Sequence, residues 1–234
     1  MTDRKTETDH LDAARAALVE AALSHVTFDG WSEATLSAAI EDAGVDPALA
    51  RLALPRGAVD LALAYHREGD AAMLARFAAT DTASLRIREK IATLVRLRIE
   101  AAEDREVIRK GLAFFAMPAH AADGSAALWG TADQMWCALG DSSKDFNWYS
   151  KRAILSGVYS ATLLYWLGDD SPDKRASWSF LDRRIENVMQ FEQAKAKLRA
   201  TPLWKALENG PGQLFSKIRA PGRTPRDDLP GHIK

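Results

Sequence analysis

The chain has one cysteine, Cys137, in 234 residues. That excludes an internal disulfide and agrees with a reducing compartment. No apolar run approaches the roughly 18 residues needed to span a bilayer. Met1 to His10 are polar and charged, without the apolar stretch of a secretory signal. These two absences predict a soluble or peripheral protein. β-Branched alternation is scarce while alanine and leucine dominate, so helices are expected throughout and no strand. Catalytic patterns are missing as well. His10, His25, His66, His120 and His232 never fall three or four residues apart, the spacing of helical metal ligands. Gly140-Asp141-Ser142 does not extend into a Gly-x-Ser-x-Gly elbow, and there is no glycine-rich phosphate loop. A non-enzyme with no cofactor and no metal is the expectation, since chemistry of its own would need a converging nucleophile, base and stabilising group.

What is present is helical periodicity, in about ten segments. Leu11, Ala14, Leu18, Ala21, Ala22 and His25 share one face of a helix over 10–28 that ends at Asp29-Gly30. A short helix from Ser32 to Ala43, a break at Gly44 and a second short helix opened by Asp46-Pro47 form a helix-turn-helix pattern, followed by Pro55-Arg56-Gly57 and a helix over 58–78. The second short helix, Pro47-Ala48-Leu49-Ala50-Arg51-Leu52-Ala53-Leu54, carries one basic residue. It lies in a segment, Met1 to Asp60, with eleven acidic residues against five basic, a net charge of −6. Phosphate backbones need lysines and arginines, so the shape is expected without nucleic-acid binding. Lys195 to Arg226 is the opposite, with eight basic residues against one acidic, a net charge of +7. The two ends are expected to meet different partners.

Beyond residue 80 the pattern is a helical bundle. Ile87, Ile91, Leu94, Val95 and Ile99 form an apolar face, with Arg86, Arg88, Lys90, Arg96 and Arg98 read as a mostly solvated opposite face. Helices follow over about 104–116, 125–139 and 146–167, and then over about 172–199. The helix at 146–167 is capped by Ser143 or Asp145 and carries two stripes. One is Phe146, Ala153, Ile154, Gly157, Val158, Ala161, Leu164 and Tyr165; the other is Trp148, Arg152, Leu155, Tyr159 and Trp166. Two apolar stripes predict burial on both sides. Its first turn sets Trp148 and Tyr149 among Asp145, Asn147, Lys151 and Arg152, the composition of a protein-contact patch with aromatic anchors and a polar rim. After Pro202, the residues Leu203, Trp204, Leu207, Leu214, Phe215 and Ile218 make an apolar edge flanked by Lys205, Lys217 and Arg219. That is the design of a helix lying in a membrane interface, broken at Gly210-Pro211-Gly212.

The run from Asp133 to Ile185, with Asp-Gln-Met-Trp, Gly-Asp-Ser-Ser, Asp-Phe-Asn-Trp-Tyr-Ser-Lys-Arg, Ser-Pro-Asp and Trp-Ser-Phe-Leu, resembles the lipid-binding family of ubiquinone biosynthesis whose eukaryotic member is the ninth COQ protein. A looser likeness through His25-Val26 and Gly30-Trp31 extends it over roughly residues 10–200. The resemblance implies a TetR-regulator-like all-α fold and a homodimer. It also implies binding of an isoprenoid lipid or quinone intermediate, and a di-iron ubiquinone-pathway hydroxylase as partner. It makes Leu112, Phe115, Met135, Trp136, Leu139, Leu155, Tyr159 and Leu163 candidates for the lipid site, and Asp145, Asn147, Trp148, Tyr149 and Arg152 candidates for partner binding. Leu203, Trp204, Lys205, Leu207, Leu214, Phe215, Lys217 and Ile218 are the candidate membrane contacts. The expected organisation is a disordered 1–9, a helix-turn-helix-like unit at 10–80, a ligand-binding and dimerisation bundle at 81–200, a membrane-associating segment at 201–219 and a flexible tail at 220–234. The expected place is the cytoplasmic face of a bacterial inner membrane, or the mitochondrial matrix side in a eukaryote. A TetR-like ligand-responsive regulator is the alternative function.

Overall fold

The computed structural model describes residues 2–102, 104–143 and 146–199, with side chains from 9 to 190. Among the described residues there are nine α-helices, a 3₁₀ turn at Pro172–Lys174 and no strand, as the composition predicts. The helices are α1 Thr2–Asp29, α2 Glu33–Ala43, α3 Pro47–Ala53, α4 Ala58–Ala79, α5 Ile87–Glu100, α6 Arg105–Ala116, α7 Ala121–Ala138, α8 Phe146–Leu167 and α9 Arg175–Arg199. Helix α1 starts at Thr2, where a disordered 1–9 was expected. That segment holds neither glycine nor proline, so nothing in it breaks the helix before the Asp29-Gly30 stop. The segments at 201–219 and 220–234, and with them all eight candidate membrane residues from Leu203 to Ile218, lie outside the described residues.

Local chemistry sets the helix-turn-helix. Ser32 Oγ accepts from Thr35 N–H at 3.1 Å to cap α2. Gly44 takes the left-handed conformation, φ 60°, that ends it. Asp46 Oδ1 then accepts from the N–H groups of Ala48 and Leu49, with Pro47 in the first turn of α3. From α1, Arg15 donates twice to the Ala53 carbonyl, fixing the end of α3 against the first helix.

Two apolar cores follow, and α4 belongs to both. Its first half puts Leu61, Ala62 and Ala64 into a core with α1, α2, α3 and, from α6, Val107 and Phe114. Its second half puts Met73 and Phe77 into a core built from α5, α7, α8 and α9. The packing therefore does not divide at residue 80. Helix α4 runs through the middle as a shared strut, and α6 folds back onto the N-terminal unit.

Helix α8 departs from the expected double burial. Arg152, Leu155, Tyr159 and Trp166 are buried, together with Val158, Thr162 and Leu163. On the other stripe Phe146, Ala153, Gly157, Leu164 and Tyr165 are exposed. One face packs on α7 and α9; on the other, Tyr165 stacks on Phe180 at 4.5 Å between ring centroids, while Phe146, Ala153 and Gly157 are exposed among the described residues.

Candidate functional site

A cavity of about 330 Å³ lies where the two cores meet. Its walls come from the loop before α2 and from α4, α5, α6, α7 and α8. On α6, Ile108, Gly111, Leu112 and Phe115 recur at helical spacing and line one side. Gly124 on α7 lets the two helices approach, since a Cβ there would sit 2.6 Å from Phe115 Cβ. The mouth is formed by the exposed Ala116, Ser125 and Leu164, and the inner end by the buried Ala62, Arg98, Val107 and Tyr159.

Four of the eight candidate lipid residues line this cavity: Leu112, Phe115, Tyr159 and Leu163. The other four do not. Met135 and Leu155 are in the core of the second half. Trp136 donates from Nε1 to the Lys151 carbonyl at 3.1 Å. Leu139 borders a smaller hollow with Phe77, Thr82, Ile87 and Lys90. The reason is the position of α7, whose first half faces the cavity through Ala121, Gly124 and Leu128 while its later turns point into the α4/α5/α8 core.

The inner end carries polar groups that sequence reading missed. Arg98, expected on the solvated face of α5, is 5% exposed. Its spacing held the signal: Ile91, Leu94, Val95 and Arg98 fall at 0, 3, 4 and 7, on one face. Arg98 Nε donates to Asp70 Oδ1 at 2.6 Å, and Nη2 donates to the His66 carbonyl at 3.0 Å and to His66 Nδ1 at 3.3 Å. Because Nδ1 accepts, Nε2 holds the imidazole proton and donates to Thr131 Oγ1 at 2.8 Å. Thr131 in turn donates to the Asp70 carboxylate, which also accepts from Gln134 Nε2 at 3.2 Å. Burial, with the Arg98 charge beside it, lowers the His66 pKa to about 4, so the ring is neutral at pH 7.

The predicted partner patch is brought together only in part. Trp148 and Tyr149 are half-buried and meet Trp129 of α7, with ring centroids 5.8 Å and 6.3 Å from it and 4.8 Å from each other. Asn147 is exposed, and Asp145 lies outside the described residues. Arg152 is a correction. It is 1% exposed, its Nε donates to Asp133 at 2.6 Å, its Nη1 donates to Asp141 at 3.2 Å and to the Trp148 carbonyl at 3.0 Å, and its guanidinium stacks 4.0 Å from the Trp148 ring. A buried arginine needs carboxylates, and α7 and its C-terminal loop supply two, so its charge serves the inside of the chain. Burial works against the charged form of Asp141, yet hydrogen bonds from Lys151, Ser143 and Arg152 hold its carboxyl down at about 2. Ser143, the other candidate cap, donates to Asp141 and accepts from Lys151, both at 2.8 Å.

Residues 121–192, from α7 into α9, match the COQ9 family model. Among curated proteins, a mitochondrial ubiquinone biosynthesis protein COQ9 from Rattus norvegicus is 33% identical over 49% of this chain and 36% of its own length. Its counterpart in Drosophila melanogaster is 28% identical over 78% of this chain and 57% of its own. Over residues 121–192 the chain is similar to COQ9. It spans between about a third and three-fifths of the length of these relatives. A TetR transcriptional regulator from Nitrosomonas europaea has a TM-score of 0.59 at 20% identity, covering 74% of this chain and 95% of that one. That likeness establishes the TetR-like fold and nothing about function. The family segment contains the aromatic cluster, Arg152 and the α7/α8 wall of the cavity, while Tyr65, His66 and Arg98 lie outside it. No helix among the described residues is long and apolar enough to cross a membrane.

Proposed function

We propose that this protein is a non-catalytic accessory of ubiquinone biosynthesis that binds an isoprenoid quinone intermediate at the membrane and presents it to a di-iron hydroxylase. The observation that carries this reading is the cavity at the junction of the two cores, apolar along its walls and open at one end. Taking apolar groups from the bilayer into water costs about 0.8 kcal/mol per exposed CH₂, and an apolar cavity beside the membrane lowers that barrier for the part of the ligand it encloses. In this reading Trp148 and Tyr149, with Asn147 at the rim, meet the hydroxylase, and 203–218 holds the chain to the membrane surface. The exposed side of α8 with Phe146, Ala153 and Gly157 supports a homodimer formed across it. The test is organic extraction of the purified protein followed by mass spectrometry. A co-purified prenylated quinone or phenol is the expected result, and a protein that carries none and gains none from quinone-containing liposomes overturns the reading.

A further inference from the structure

The inner end of the cavity differs in kind from its walls. Arg98 is the one charged residue among those lining it; its Nε and Nη2 are committed to Asp70 and His66, and its Nη1 lies beside Gly69, on the wall of a neighbouring hollow. Beside it is Tyr159, 4% exposed, with the Arg98 guanidinium 5.8 Å from its ring. Its hydroxyl draws no hydrogen bond among the described residues and is not sealed into the core, so it opens onto the cavity that the residue lines. A phenol so deeply placed and without a partner would be costly if the cavity always stood empty of polar atoms. His66 and Asp70 are saturated within the chain. The floor therefore offers the Tyr159 hydroxyl as a donor and no free carboxylate.

We infer that Tyr159 holds the oxygen-bearing, uncharged head of an otherwise apolar ligand at the cavity floor, beside the ion-paired Arg98, so that the ligand enters head first and its tail leads out past Leu164. The inference rests on the lipid-binding reading above and adds the ligand's orientation and head-group class. Charge decides against phosphate. The Arg98 cation is already balanced by Asp70, burial keeps His66 neutral, and no other cation lines the cavity among the described residues. A diphosphate would enter without a counter-charge, whereas a ring carbonyl or phenol oxygen needs only a donor. Tyr159 suits that task, since burial raises its pKa and keeps the proton on the oxygen. Size sets the orientation. A cavity of about 330 Å³ is at the low end for enclosing a small molecule and takes a ring with a short stretch of chain. The longer tail stays outside the mouth, where it can remain in a membrane, and only the ring need leave the bilayer.

The test is equilibrium dialysis of the full chain against a benzoquinone with a two-isoprene tail, the matching terpene hydrocarbon and geranyl diphosphate, repeated with a four-isoprene benzoquinone. The quinone should bind best. Tyr159→Phe, which keeps the ring and its packing, should weaken it about fivefold while leaving the hydrocarbon unchanged. Doubling the tail should alter affinity less than about threefold, against more than a thousandfold were the added tail enclosed. If the wild-type protein binds quinone and hydrocarbon equally and Tyr159→Phe changes neither, the head-first inference is overturned and lipid binding stands. Tightest binding of the diphosphate overturns the uncharged head. Failure of every probe to bind the wild type overturns lipid binding itself, and this inference with it.

Discussion

Two buried arginines, Arg98 and Arg152, show how one kind of residue does two different things. Each sits on an apolar helix face, pairs with aspartate at 2.6 Å through Nε and lies near an aromatic ring. Around Arg152 the space is closed: Asp133, Asp141 and the Trp148 carbonyl take its donors, and the Trp148 ring covers its face. It is a joint between α7 and α8. Arg98 has one aspartate, bonds His66 through Nη2, and also borders a cavity. The difference lies in what stands beside the ion pair, since a charge enclosed on every side acts on its own partners alone while one bordering a cavity also sets the polarity of that cavity's floor.

The comparison can be broken in order of effect. Arg152→Met strands Asp133, leaves Asp141 to Lys151 and Ser143, and should cost about 3 kcal/mol, roughly 10 °C of melting temperature by calorimetry. A shift of a degree or two would mean the joint carries little. Next comes pH. His66 has a folded pKa of about 4 against 6.5 unfolded, so the unfolded chain binds the extra proton between those values. Stability from this group is complete above pH 6.5 and is lost as pH falls towards 4, on the order of 3 kcal/mol. His66→Asn should flatten the melting temperature in that window; Asp141, whose carboxyl is held down at about 2, acts only below its ordinary 3.8. A Cβ at position 69 would sit 2.6 Å from Arg98 Nη1, so Gly69→Ala should cost about 1–3 kcal/mol in urea titrations. An unchanged midpoint would show that the guanidinium is free to move. Smallest in stability is Trp148→Ala, about 1 kcal/mol for lost ring contacts, with loss of hydroxylase capture in a pull-down. A large fall in stability would place Trp148 with the core and leave the docking surface to Tyr149.

Much of the fold was legible in periodicity. The helix-turn-helix was announced by Ser32, Gly44 and Asp46-Pro47, and each does the capping or stopping its chemistry suggests. The ends of α4, α6 and α8 fall within a residue or two of the periodic runs. The site was half legible. Leu112, Phe115, Tyr159 and Leu163 line the cavity because they face inward on α6 and α8, but inward-facing residues on α7 divide between cavity and core, and spacing alone does not separate them. Trp31 and Tyr65, 34 residues apart in sequence, meet at 5.2 Å beside that cavity. No local pattern encodes such a meeting.

The sequence by itself determined the helices, their caps, the family likeness and the scarcity of charge on α3, because each depends on neighbours a few residues away. Tertiary structure alone decided which stripe of α8 is covered and which arginines are buried. It also decided that a cavity opens between the two cores, with Tyr159 and Arg98 at its floor. Those features depend on how α4 runs through both halves and how α6 folds back onto the first, and such long-range packing leaves no periodic mark in the chain.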